Sequence, residues 1–211
     1  MSAQLTGISA TAVGPHLYWL ASRAAGSAAL LLSSASVCVG LASSMRLLKG
    51  RVADLRVTHE ALALATIVAL LVHGLTLLGD GFLKPSLAEL TVPFLGGYET
   101  LWTTAGIVGF WMLLALGLSY YARARIGVQR WRVLHRFTAL AWVLGLAHSL
   151  GEGTDAGQAW FLAMIAIVVL PALALLAARG AKVSLARSAG APAAPGGAAG
   201  FGAAGPTGAA R

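Results

Sequence analysis

Acidic residues and cysteine are the scarce residues of this chain. Its 211 positions hold seven Asp and Glu and one cysteine, Cys38. A single thiol closes no disulfide within the chain, and a thiol inside a long apolar run serves packing. Charged side chains of both signs make up only 10% of the sequence against 58% hydrophobic ones, and mean hydropathy is +0.79. Soluble domains carry about a quarter charged residues, so that class is excluded and a membrane protein is expected. The N-terminus has neither a basic n-region nor a convincing cleavage site, which argues against a removable signal peptide. Nor does a Gly-x-Gly-x-x-Gly open a helix after a strand. About 30 residues follow the last apolar run, whereas a nucleotide-binding domain needs on the order of 100. No flavin or nicotinamide domain is therefore expected in this chain.

Long apolar runs, by contrast, are abundant. Five of them, at roughly 17–44, 57–78, 100–121, 133–150 and 158–178, approach the ~20 residues that a helix needs to cross a hydrocarbon core. The expected fold is all-α: a polytopic membrane helical bundle of five transmembrane helices. Helices satisfy their own backbone in lipid, and no alternating barrel pattern competes. Thirteen of the fifteen Lys and Arg follow the first, third and fifth runs, while Arg23 and Lys84 share the other side with Asp80, Glu89, Glu99, Glu152 and Asp155. By the positive-inside rule the N-terminus is outside and the C-terminus cytoplasmic. That asymmetry accounts for the net charge of +8, so the expected partner is the lipid bilayer and not nucleic acid. Trp19, Trp102 and Trp160 at outer run ends and Trp131 at an inner one fit interfacial belts. Residues 1–16 read as an N-terminal extracytoplasmic segment, 17–179 as the transmembrane domain, and 180–211 as a disordered Ala/Gly/Pro-rich cytoplasmic tail.

Four of the five histidines fall inside two of the runs: His59 and His73 in the second, His135 and His148 in the fourth. His16 lies in the polar N-terminal segment and is expected to be solvated. Both runs cross in the same direction. His59 follows Arg56 by three residues and His135 follows Arg132 by three, so these two share a depth. His73 and His148 shortly precede Asp80 and Glu152 and share another. At 1.5 Å per residue the two levels lie about 20 Å apart. A single intramembrane histidine is more often a hydrogen-bonder or a proton relay. Two matched pairs across parallel helices are instead the arrangement that holds two haems by bis-histidine ligation, within apolar walls such as LALATIVALLV and TALAWVLGLA. A zinc or copper centre needs its ligands around one ion, which this spacing denies. One mismatch stands out: thirteen steps of 100° leave His135 and His148 about 140° apart. Helix tilt or a local irregularity near Gly145 is needed to align them.

The pattern H-x13-H on one span and H-x12-H on the span after next is similar to that of the ferric reductase and NADPH oxidase transmembrane domain. The small-residue first span LASRAAGSAALLL and the outer loop LKPSLAELTVPFLGGYETLW, with its V-P-F segment, resemble the same family over residues 17–179. The resemblance implies two haem b groups, the inner one held by His59 and His135 and the outer one by His73 and His148. The extra N-terminal span and the C-terminal FAD/NADPH domain of the oxidases have no counterpart here. The shape looks more like bacterial stand-alone haem-binding membrane subunits, such as that of the periplasmic methionine sulfoxide reductase system. A multi-pass protein of the cell membrane, in bacteria the inner membrane, is therefore expected.

Charged residues near these levels acquire possible roles. Arg23, about one turn inside the outer boundary, calls for an anionic partner: an outer-haem propionate, or the headgroups reached by snorkelling. Arg56, Arg132 and Arg136 either face inner propionates or serve topology alone. Glu60 could tune the inner haem or take up a proton, but it points about 100° away from His59, which favours a surface or interhelical role. The function expected is a membrane b-type cytochrome, an oxidoreductase electron-transfer subunit. It would carry electrons from a separate cytoplasmic flavin reductase or a quinol to an external acceptor or periplasmic enzyme, any flavin coming from the partner. Two other readings stand beside it: a non-catalytic haem-binding anchor of a redox complex, and a haem-free histidine-based proton or metal transporter.

Overall fold

The computed structural model describes residues 14–47 and 52–190, which contain helices and no strand. In chain order these are α1 (Gly14–Ser44), α2 (Val52–Leu77), α3 (Leu87–Thr91), α4 (Thr100–Leu118), α5 (Arg123–Ile126), α6 (Val128–His135), α7 (Thr138–Gly151) and α8 (Ala159–Met164). A π-helical turn, Ile165–Val169, then leads into α9 (Leu170–Gly190). Among the described residues five stretches are long and apolar enough to cross a membrane: His16–Ser44, Ala53–Leu77, Thr100–Leu118, Val128–Gly151 and Ala159–Leu185. They coincide with the five apolar runs. Large apolar side chains such as Leu64, Val68, Leu71 and Leu75 of α2 stay exposed, as a lipid-facing surface requires.

The fourth crossing departs from a single straight helix. Between α6 and α7 the amides of Arg136 and Phe137 donate to the carbonyls of Val133 and Leu134, three residues back instead of four. Such winding turns the chain by about 120° per residue instead of about 100°. The irregularity that the histidine spacing demands thus lies beside His135, and not near Gly145, where α7 runs on unbroken. The last crossing is altered by Pro171, which has no amide to donate and whose ring crowds the carbonyl four residues earlier. The helix widens just before it, and the Leu170 amide reaches the Ile165 carbonyl.

α9 continues past residue 179 to Gly190, so the first part of the segment expected to be a disordered tail is helical. The sequence AKVSLAR carries good helix formers there, and proline comes only later. Residues 191–211 lie outside the described residues, as do residues 1–13 of the expected N-terminal segment; His16 is exposed in the first turn of α1. In the loop before α4, Ser86 caps α3 in a capping box with Glu89. The Ser86 amide and hydroxyl hold the Glu89 carboxyl below its usual range.

α1 packs along α2 and α4 along α7, and the two hairpins join where α1 meets α7 and α9. Leu30, Trp142, Leu146, Phe161, Val169 and Ala172 form the buried cluster at that junction. The Trp142 indole N–H, which needs a partner away from water, donates to Ser34 Oγ at 3.0 Å. The Ser34 hydroxyl in turn donates a hydrogen bond to the Leu30 carbonyl at 2.6 Å. α4 and α7 pack backbone to backbone at Gly109, where a Cβ would stand 3.1 Å from the Ala141 carbonyl oxygen and 3.3 Å from Leu144 Cβ. Small residues at such crossings let membrane helices pack by van der Waals contact. Gly109→Leu should therefore push the hairpin apart and destabilise the bundle by about 1–3 kcal/mol, read as a lowered midpoint of thermal unfolding in detergent.

Candidate functional site

The four intramembrane histidines meet in two pairs. His59 of α2 faces His135 at the end of α6, with ring centroids 6.0 Å apart and planes at 84°. His73 of α2 faces His148 of α7 at 6.2 Å and 72°. The two levels follow from the helices: α2 presents both its histidines on one face because fourteen steps close to within about 40° of four turns.

Three of the four rings are oriented by the same kind of bond. His59 Nδ1 donates to the Ser36 carbonyl at 2.9 Å, His73 Nδ1 to the Ser22 carbonyl at 2.9 Å, and His148 Nδ1 to the Trp102 carbonyl at 3.0 Å. A carbonyl only accepts, so these bonds require the proton on Nδ1, with the Ser22 and Ser36 hydroxyls beside His73 and His59 Nδ1 presenting their oxygens, and Nε2 then keeps its lone pair. That is the tautomer of a metal-ligating imidazole, and the second bond also raises its basicity. His148 Nδ1 further contacts Glu152 Oε2 at 3.0 Å, which Thr103 supports from α4. His135 differs: its Nδ1 is buried without a hydrogen-bond partner, and its ring stacks on Trp131 at 4.9 Å and 27°.

This donor set discriminates between metals. Among the described residues no group of three or more His, Cys, Asp or Glu side chains converges, so the four-ligand arrangement of zinc is not formed. Two opposed nitrogens suit a metal whose remaining ligands come with its own macrocycle, as in haem. The centroid separations of 6.0 Å and 6.2 Å would leave room for one metal atom between the rings of each pair. Beside the His59/His135 pair lies a cavity of about 250 Å³, lined by Ala63, Leu64, Ile67 and Gly117, by the cations Arg56, Arg123 and Arg132, and by one acid, Glu60. Apolar walls with cations at the rim suit a flat anionic macrocycle. The residues present fit a haem at this level.

Other residues singled out by sequence find protein partners. Arg23 engages Asp155: its Nε donates to Oδ2 at 2.9 Å, a terminal guanidinium nitrogen reaches Oδ1, and the guanidinium lies over the Trp19 ring at 4.1 Å. A protein carboxylate thus stands where a propionate or headgroup was expected. Asp155 is itself buried, and the pair borders a cavity of about 300 Å³ with Leu20, Ala24, Ser27 and Trp160. Glu60 accepts from the Tyr121 hydroxyl at 2.7 Å, tying α2 to the turn after α4, and that bond holds the Tyr121 phenol above its usual range. Arg56 and Arg132 border the cavity, whereas Arg136 sits in the turn between α6 and α7. Sequence reasoning missed Asp155, Arg123 and the three carbonyls. Of these only Asp155 carried a signal, as an acidic residue at the level of Arg23.

Fold and site together define a multi-pass helical membrane domain with histidine pairs at two depths. Residues 25–146 match the family described as ferric reductase like transmembrane component. The match covers more than half of the chain, which belongs to that family and is a membrane redox component. It takes in His59, His73 and His135 and ends just before His148. No curated protein and no solved structure matches the chain.

Arg23 and Asp155 are coupled by geometry, which a double-mutant cycle measures. Arg23→Ala and Asp155→Ala should each lower thermal stability, and the double variant should lose less than the two together by about 1 kcal/mol or more. Additive losses would show that the pair does not act as a unit.

Proposed function

We propose that this protein is a membrane b-type cytochrome that carries electrons from one face of the bilayer to the other. His59 and His135 hold one haem b, and His73 and His148 hold a second. The observation that carries this reading is the double pair of facing imidazoles, three with Nδ1 committed to a carbonyl and Nε2 left for a metal. Haem iron, when bound, supplies the one-electron redox chemistry. The chain's own residues bind, orient and insulate. The carbonyl bonds fix three ring planes and raise ligand basicity, the apolar walls keep water out, and Arg56, Arg123 and Arg132 are placed to neutralise propionates at the His59/His135 level. Rings whose Nδ1 is tied to the main chain make poor proton relays, so a haem-free transporter is the weaker account.

By the positive-inside rule the basic end is cytoplasmic, so the His59/His135 level is the inner one. A flavoprotein or a quinol donates electrons at that end, and an external acceptor or a periplasmic enzyme takes them at the His73/His148 level. The setting is a cell membrane, in a bacterium the inner one.

A pyridine haemochrome assay on protein expressed with ample haem should find about two b haems per chain; finding none would sink the reading. Pairing has its own test. His73→Ala and His148→Ala should share one spectral loss, and His59→Ala and His135→Ala another, with different midpoint potentials in redox titration. If His59→Ala behaved like His148→Ala, the two-level assignment would be wrong.

A further inference from the structure

The three carbonyls that orient the rings have a common neighbour. Ser22, Ser36 and Trp102 each stand four residues before a glycine, namely Gly26, Gly40 and Gly106. In an α-helix the carbonyl of residue i already accepts from the amide of residue i+4. A ring that is to share that oxygen must therefore come in over residue i+4. A Cβ there would press into the imidazole: 3.1 Å from His73 Nδ1 at Gly26, 3.1 Å from His59 Cε1 at Gly40, and 2.8 Å from His148 Nδ1 at Gly106. Each glycine is a notch in which one ring rests. Other glycines are crowded too, Gly109 by the Ala141 carbonyl and Gly151 by the Trp102 ring, but among the described glycines only these three would meet a histidine; a Cβ at Gly74 or Gly145, on the ligand-bearing helices, would meet nothing within 4 Å. Register is kept as well: Gly26 and Gly40 stand fourteen positions apart, as His59 and His73 do, so antiparallel α1 serves both levels of α2 at once.

His135 breaks the pattern. The nearby Leu116 carbonyl accepts from the Ser119 hydroxyl at 2.6 Å and is not in hydrogen-bond geometry to His135 Nδ1. The residue four positions on is Tyr120, not glycine. His135 Nδ1 is left without a partner, and Trp131 holds the ring by stacking.

We propose that Gly26, Gly40 and Gly106 are positioning residues for the haem ligands: each admits one imidazole to a main-chain carbonyl and so aims its Nε2 at the iron, while His135 is the one ligand held without such a notch. The proposal rests on the haem reading above. Bonds of this kind raise ligand basicity and favour the ferric state, so loss of a notch moves a potential and not only a melting temperature.

The test replaces each glycine by alanine, a better helix former that adds only the offending Cβ. Gly145→Ala, with open space at its Cβ, is the control. Haem per chain and redox titration are read on the purified proteins, and difference spectra of unpurified membranes give the same readout for a variant that does not survive detergent. Gly26→Ala and Gly106→Ala should shift in potential, or remove, the component lost in His73→Ala. Gly40→Ala should act on the component lost in His59→Ala. Gly106→Ala has the tightest contact and should fall from about two haems per chain toward about one, while Gly145→Ala keeps both at wild-type potentials. If all three notch variants retain both components at wild-type potentials, or if each disturbs both components alike, the proposal is overturned. Wild-type protein without haem would overturn the parent reading first, and this one with it.

Discussion

A ring nitrogen donating to a main-chain carbonyl on the neighbouring helix is the interaction on which the rest of this structure depends. Within a bilayer no water satisfies a polar group, so an imidazole there must find its partner in protein. His59 and His73 find theirs on α1, and His148 finds its own on α4. The bonds therefore join α1 to α2 and α4 to α7, which are the two hairpins that pack most extensively. The same three bonds leave a lone pair on each opposite nitrogen. On the proposed haem reading, stability and metal binding are not separable at these positions, because one hydrogen bond serves both.

The remaining buried polar groups obey the same constraint, and they make the two ends of the bundle unlike. At the end holding His73 and His148, Arg23 is paired with Asp155, and the Glu152 carboxylate lies against His148 Nδ1 and accepts from Thr103. At the other end, among the described residues, no carboxylate forms an ion pair with Arg56, Arg123 or Arg132 around the cavity. Glu60, the nearest acid, is engaged by Tyr121. An anionic group entering that cavity meets three cations and one carboxylate, Glu60, already engaged by Tyr121, with no ion pair to break.

Much of this was legible in the sequence, and the boundary of legibility is physical. The five crossings follow from apolar length alone, and the pairing of His59 with His135 and of His73 with His148 follows from helix rise and the positions of flanking charges. Depth along a helix is a one-dimensional quantity that the sequence carries directly. Azimuth is not. The bidentate meeting of Arg23 with Asp155 needs the loop before α8 to fold back over α1, which no local pattern encodes. The histidine spacing calls for helix tilt or an irregularity near Gly145, whereas the irregular turn lies at Arg136 and Phe137 and arises without glycine, by amides reaching three residues back. The extension of α9 to Gly190 was missed because the Ala- and Gly-rich composition beyond it was read too far upstream.

That turn also explains why the two histidine spacings differ. A spacing of fourteen returns nearly to the same helical face, as α2 shows, whereas thirteen falls about a residue short. Tightening one turn between His135 and His148 recovers part of the missing rotation, so the chain aligns both rings with one residue fewer. The arrangement has a consequence at its own level. His135 closes α6 and lies against the end of α4, where the main chain passes to bonds three residues back after Leu118 and Ser119 takes the Leu116 carbonyl. A regular helical carbonyl with a glycine one turn on is no longer to be had there. Stacking on Trp131, four residues earlier on α6, supplies the orientation that the backbone does not. The unequal spacing and the one ring without a carbonyl partner thus meet at one place, where α4 ends beside the tightened turn of the fourth crossing.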